Sequence, residues 1–162
     1  MLTPAPRSHS SDPHGSPRVA DLHLHTEFSD GTDTPERVVE LARQAGLCAL
    51  AITDHDDTQA LGVVGDAAKR HGVELITGIE MSASTEGLEV HILGFLFDVN
   101  EPGLRQHLAE QKARRVERAR DMVRRLQRIG VKIDAEEVFQ VAGEGTVGRP
   151  HVAQVLLKHG YI

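Results

Sequence analysis

The stretch VADLHLHTEFSDGTDTPERVVELARQAGLCALAITDHD, residues 19–56, decides how the chain is read. In VADLHLHT, Leu22 and Leu24 alternate with His23 and His25, the period of two that marks a β-strand. TPERVVELARQAG then places Thr34 as a cap, Pro35 at the first helical position and Gly46 just past the end, which is a full start and stop signature for a helix. CALAITDHD is a short apolar run closed by acids and a histidine, and it reads as a buried parallel strand. Working outward, Thr58 to His71 reads as a second helix weakened by Gly62 and Gly65, and VELITGIEMSA as a third strand. LEVHILGFLFD is a fourth strand, joined through the turn Thr85 to Gly87. This order predicts an α/β fold with a parallel sheet or a (β/α) barrel, and a site at the carboxyl ends of the strands.

From Glu101 onward the pattern is helical. GLRQHLAEQKARRVERARDMVRRLQRIG has Leu104, Leu108, Val116, Ala119, Val123 and Leu126 as an apolar stripe at helical spacing. Asp134 is placed to cap a short helix ending at Gly143, and GRPHVAQVLLKHG has Pro150 in its first turn and Gly160 past its end. The expected organisation is a disordered leader over residues 1–18, an α/β portion with the site over 19–100, and a helical insertion module over 101–162.

Composition narrows the classes. The chain has 162 residues with 40% apolar and 26% charged, which suits one globular domain, and aromatics at 3% leave the core to Val, Leu, Ile and Ala. A net charge of -6 argues against a generally basic nucleic-acid coat. The single Cys48 excludes an internal disulfide framework and fits a reducing cytoplasm. No apolar run is long enough to span a membrane, and the opening MLTPAPRSHSSDPHGSPR lacks the apolar core of a signal peptide.

With 10 His in the chain, a His-x-His pair would arise by chance about 0.6 times, so the pair alone decides nothing. Its company does. Residues i and i+2 of a strand share a face, so His23 and His25 project into one pocket, and Asp30 follows in a Ser-Asp-Gly loop short enough to fold back over it. The next strand ends in Asp54, His55, Asp56 and Asp57, the third brings Glu80 and the fourth His91. Four consecutive strands thus each deliver a metal-type side chain. Imidazole and carboxylate without thiolate suit zinc, manganese or iron, and Glu80 is the candidate bridge in a centre that activates a hydroxide for hydrolysis of a phosphate ester. Asp54 either orients a ligand or makes a structural hydrogen bond, and Asp56 and Asp57 read as caps of the helix at Thr58.

DLHLHTEFSDGT, ALAITDHDDTQAL and GIEMSA with VHILGF resemble the PHP (polymerase and histidinol phosphatase) superfamily over Val19 to about Phe97. The nearest likeness is to stand-alone phosphoesterases that act on nucleoside 3',5'-bisphosphates and the 5' ends of short RNA, and the GRPH segment resembles the insertion they carry. The resemblance implies the N-terminal part of a distorted (β/α)7 barrel with two to three divalent ions, manganese, iron or zinc. His23, His25 and Glu80 would hold one ion, Asp30 and His55 a second, and Glu80 with His91 a third. Glu80, His55 and Asp54 are then the candidate catalytic residues. The family completes its site with a His-Pro histidine and a late Asp-x-His motif that this sequence lacks, and a (β/α) barrel takes about 250 residues, so the chain is expected to be the first half of a longer enzyme. The implied activity is hydrolysis of phosphate monoesters of nucleotides or RNA 5' ends; the alternative is a non-catalytic module that binds metal or nucleotide.

Two basic features remain. Lys112, Arg114, Arg115, Arg118, Arg120, Arg124, Arg125 and Arg128 read as a solvated helix face or as a strip that guides a phosphorylated substrate, and the lack of aromatic platforms argues against sequence-specific reading of nucleic acid. Arg149 and the helix start after Pro150 are candidate phosphate binders, with His151 adding a contact; otherwise Arg149 pairs with a nearby acid and His151 faces solvent. His71, His107 and His159 are expected to be exposed, and Cys48 to be core. A hydrolase built on a carboxylated lysine is disfavoured because Lys69, Lys112, Lys132 and Lys158 fall in or beside helices.

Overall fold

Strand β2 (Ala49–Ile52) is buried along its whole length, and the sheet is built around it. In the computed structural model, which describes residues 18–162, β1 (Ala20–Leu24) and β3 (Glu74–Thr85) pair with β2 in parallel. The expected leader lies outside the described residues apart from Arg18. β4 (Leu88–Phe95) turns back on β3 as an antiparallel hairpin, so the four-stranded sheet is mixed, in the order β1-β2-β3-β4. A turn as short as Thr85 to Gly87 permits only that antiparallel return, because a parallel crossover needs a dozen residues or more.

The helices begin and end where the local chemistry dictates. α1 (Pro35–Gln44) starts with Thr34 Oγ1 accepting from Arg37 N at 3.2 Å, and α2 (Gln59–His71) ends on Gly72 in the left-handed region. Val39 and Ala42 of α1 and Ala60, Val64 and Ala67 of α2 close over Leu50 and Ile52 in one core. A second core joins α3 (Pro102–Arg128), α4 (Ala135–Ala142) and α5 (Arg149–Lys158) through Ala119, Val123, Val138, Val152 and Val155. Asp134 caps α4 as expected, in a reciprocal capping box with Glu137.

Three links fasten the helical part to the sheet. Arg115 of α3 is buried, with Nε donating to Asp56 at 2.7 Å and Nη2 to Ser82 Oγ at 2.6 Å. Thr146 N donates to the Phe28 carbonyl at 2.8 Å, and Thr146 Oγ1 to Asp57 at 3.3 Å. Gly145 lies so close to the loop after β1 that a Cβ there would come within 2.7 Å of the Phe28 carbonyl, so the contact requires glycine.

Several expectations change. Arg115 is not on a solvated face: it lies seven residues after Leu108 and four before Ala119, on the stripe that turns inward. Asp56 is not a helix cap. It has φ +50°, accepts from Ser82 N at 2.8 Å and faces Arg115, whereas Asp57 does accept from Gln59 N at the start of α2. Cys48 precedes β2 and is half-buried, with Sγ donating to the Val19 carbonyl, because β1 is an edge strand that covers it incompletely. His71, the last residue of α2, and His107, which contacts Gln111 one turn on, are half-buried; His159 is exposed and bonded to Glu137.

Truncating Arg115 to Ala leaves the Asp56 carboxylate buried and unpaired. In urea denaturation Arg115→Ala is expected to cost about 3–5 kcal/mol, whereas Arg105→Ala on an exposed turn of the same helix should stay within about 0.5 kcal/mol.

Candidate metal centre

His55 owes its position to a backbone register contact between the segment that follows β2 and strand β3. Asp56 N donates to the Glu80 carbonyl at 2.9 Å and Glu80 N to the Asp54 carbonyl at 3.2 Å, so His55 bridges to Glu80 just past the end of β2. Thr53 N donates to the Leu24 carbonyl at 2.8 Å, which brings the end of β1 alongside. On the other side the hairpin register sets His91 opposite Ser82. Strand ends and hairpin together converge on the Glu80 carboxylate.

That carboxylate is the hub. Its Oε2 lies 2.8 Å from His23 Nε2, 3.1 Å from His25 Nε2 and 3.7 Å from His55 Nδ1, and its Oε1 lies 3.1 Å from His91 Nδ1. Asp30 stands 3.4 Å from His25 Nδ1 and 3.6 Å from His55 Nε2. Three groups of donors result: His23, His25 and Glu80; His25, Asp30 and His55; and His55, Glu80 and His91, the ligand atoms of each within 4.8 Å of one another. All six expected ligands come together. The grouping differs from the expected one in detail, because His25 joins Asp30 and His55, and His55 joins Glu80 and His91.

The protonation states suit the task. Burial lowers the His25 pKa against the pull of Asp30, so its imidazole is neutral and has a lone pair to offer. The hydrogen bond with His55 is the chief cause that brings Asp30 down to about 2. For Glu80, burial pushes the pKa up, but the hydrogen bond to His23 and the neighbouring imidazoles outweigh it and the net shift is downward. Neutral imidazoles and ionised carboxylates are the forms that ligate a divalent ion, so the donor set fits such ions.

Asp54 does not face the cluster. It is 1% exposed and accepts from Thr26 N at 2.7 Å, Thr26 Oγ1 at 2.6 Å and Ser29 Oγ at 2.6 Å. Ser29 Oγ is in turn 3.3 Å from His25 Nδ1. Asp54 therefore holds the loop that carries His25 and Asp30. Gly31 closes that loop, with its N–H on the Thr26 carbonyl at 3.0 Å, and a Cβ there would lie 2.6 Å from the His25 carbonyl oxygen.

The PHP domain family matches residues 21–116. The chain belongs to the PHP domain family. It is 38% identical over 144 residues to the 5'-3' exoribonuclease Rnm of Salmonella typhimurium, covering 88% of this chain and 49% of that protein. It is 40% identical over 111 residues to the 3',5'-nucleoside bisphosphate phosphatase of Chromobacterium violaceum, covering 68% of this chain and 39% of the relative. Among solved structures, a metal-dependent phosphoesterase from Bifidobacterium adolescentis superposes with a TM-score of 0.84 at 36% identity, over 90% of this chain and 51% of that one. The chain thus spans about half the length of the PHP relatives it matches. Within that span the fold is the mixed α/β portion of a PHP barrel.

Beside the cluster, Asp30, His55 and His91 form one wall of a cleft of about 240 Å³ whose other wall includes Arg115, Arg118 and Arg149. Arg149 is largely exposed and donates to Glu89 at 2.5 Å, and Arg118 holds the other Glu89 oxygen. Arg149, then Arg118, brings the Glu89 pKa down to about 2. His151 is buried, and its Nδ1 accepts from Gly148 N at 2.9 Å, so it shapes the start of α5 and does not face solvent. Burial lowers its pKa. Sequence reasoning passed over Glu89, Ser29 and Thr26. Glu89 could have been found, because it lies two residues before His91 and shares its strand face; the two hydroxyls act only through Asp54, far away in sequence.

Calorimetric titration of the chelator-stripped chain with Mn2+ or Zn2+ should separate ligands from their supports. Glu80→Gln, at the centre of two donor groups, should abolish at least one binding step. Asp54→Asn, which keeps every donor but loosens the loop, should weaken binding about 10–100-fold.

Proposed function

We propose that the chain carries the metal-binding part of a phosphoesterase that hydrolyses phosphate monoesters of nucleotides or RNA 5' ends. The observation that carries this reading is the pairing, across one cleft, of Asp30, His55 and His91, three members of the six-donor cluster, with Arg118 and Arg149. Two to three divalent ions, manganese, iron or zinc, held by His23, His25, Asp30, His55, Glu80 and His91, would supply activation of water and neutralisation of charge on phosphate oxygens. His25, His55 and Glu80 are each shared between two donor groups, and Asp54 fixes the loop that carries His25 and Asp30 from behind through Thr26 and Ser29.

Arg149 and Arg118 give the cleft its grip on an anion, since guanidinium groups bind phosphate oxygens in pairs. Glu89 now occupies both. An arriving phosphate therefore competes with an internal carboxylate, and that competition sets the affinity. His151 keeps the first turn of α5 in place behind Arg149. In this reading residues 19–100 supply the metal cluster and 101–162 the phosphate-facing helical module, and the reaction takes place in the cytoplasm on a nucleotide or short RNA. No helix among the described residues is long and apolar enough to cross a membrane.

The test is release of phosphate from a chromogenic monoester and from a nucleoside 3',5'-bisphosphate in the presence of Mn2+. Hydrolysis that disappears with chelator and in His25→Ala is expected. Retention of metal with no hydrolysis of either ester would leave a metal- and nucleotide-binding module instead. Glu89→Gln is expected to lower KM about two- to fivefold by freeing the arginines; a raised KM would show that Glu89 supports the cleft and does not compete for it.

A further inference from the structure

The arginine run on α3 is divided by the fold into parts with different duties. Arg115 is buried against Asp56, and Arg118 faces the cleft. Arg114, Arg118 and Arg125 also line a separate groove of about 720 Å³ along the outside of α3, together with Arg149. At 100° per residue, positions 114, 118 and 125 fall on one narrow stripe, and at 1.5 Å per residue the stripe runs about 16 Å, longer than one nucleotide.

The two acids bordering this groove are already engaged from its flank. Glu117 accepts from Arg120 at 2.6 Å, and Asp121 is held by Arg124. Among the described residues Arg114 and Arg125 have no carboxylate partner. The groove is therefore locally cationic in a chain of net charge -6, which is a focused field for a polyanion. It is also continuous with the cleft, because Arg118 and Arg149 line both.

From this geometry we infer that the α3 groove is a track for the backbone of a single-stranded polynucleotide whose 5' end enters the cleft, with Arg114 and Arg125 contacting phosphates beyond the first nucleotide. The inference rests on the phosphoesterase reading for the direction of the strand, but not for binding itself. With no Trp in the chain, and no Phe or Tyr in the groove, contact is with phosphates and is independent of base. The groove thus sets a preference for short oligonucleotides over mononucleotides.

Fluorescence anisotropy with 5'-phosphorylated, 3'-labelled oligouridylates of one to six residues tests this on the whole chain, with chelator present so that nothing is cleaved. Affinity is expected to rise with length. In Arg114→Ala/Arg125→Ala the gain should vanish, with about tenfold weaker binding of the hexamer and a salt slope shallower by about 1.4, about 0.7 for each phosphate no longer neutralised. Arg105→Ala/Arg128→Ala removes the same charge from the same helix away from the groove, without freeing either bordering acid, and should keep the length dependence. Affinity independent of length, equal weakening in both double variants, or equal binding of a duplex or of polyglutamate would each overturn the track. Hydrolysis of the chromogenic monoester by the unaltered chain, measured separately, reports on the metal cleft alone, so failure of that reading and failure of this one are told apart.

Discussion

Two buried carboxylates on either side of one histidine hold the site together. Asp54 and Asp56 flank His55, and neither points at the cluster that His55 joins. Asp54 gathers Thr26 and Ser29 from the loop after β1, while Asp56 takes Ser82 from β3 and Arg115 from α3. A charge is costly to bury unless its lone pairs are answered, and here the answers come from the loop after β1 for Asp54 and from β3 and α3 for Asp56. The cost of desolvation is thereby converted into positional accuracy. His25, Asp30, His55 and Glu80 are fixed relative to one another because the elements that carry them share these two acids.

The same bonds make the helical part more than an appendage. Arg115 reaches from the second core to the first, and the loop from Gly145 to Gly148 lies against Phe28 and Asp57. Arg118 and Arg149 are thus brought opposite Asp30, His55 and His91 by helices that hydrogen bonds tie to the sheet. A cleft made this way can be altered in specificity by changing the helices while the donor cluster stays as it is.

Most of the α/β order was legible, because local physics writes it locally. The alternation around His23 and His25, the cap at Thr34 and the apolar run into Thr53 each announce themselves within a few residues. The six candidate donors were legible as residue types for a related reason: His23, His25 and His55 lie at or just past the ends of β1 and β2 and Asp30 in the next loop, whereas Glu80 and His91 sit mid-strand and reach the same place through the register of the β3–β4 hairpin. Asp56 and Arg115 were not. They lie 59 residues apart, and nothing near Asp56 distinguishes it from its neighbour Asp57, which does cap α2. Arg115 carried a hint in its spacing from Leu108 and Ala119, but a charged residue on an inward stripe is meaningful only once its partner is known. Glu89 was missed although its strand period with His91 was available, because an acid on an exposed hairpin is unremarkable until two arginines close on it.

The cluster itself is a local conflict that the rest of the fold sustains. Four imidazoles stand ring to ring, with centroids between 4.7 and 5.1 Å apart for successive neighbours. They crowd around the carboxylates of Asp30 and Glu80, and His55 Nδ1 and His91 Nδ1 lie only 3.2 Å apart, a contact that needs an N–H of one ring to face the lone pair of the other. A sequence selected only for stability would have no reason to assemble such a group, so the bonds of Asp54 and Asp56 are best understood as the support that lets an unfavourable arrangement persist where chemistry requires it.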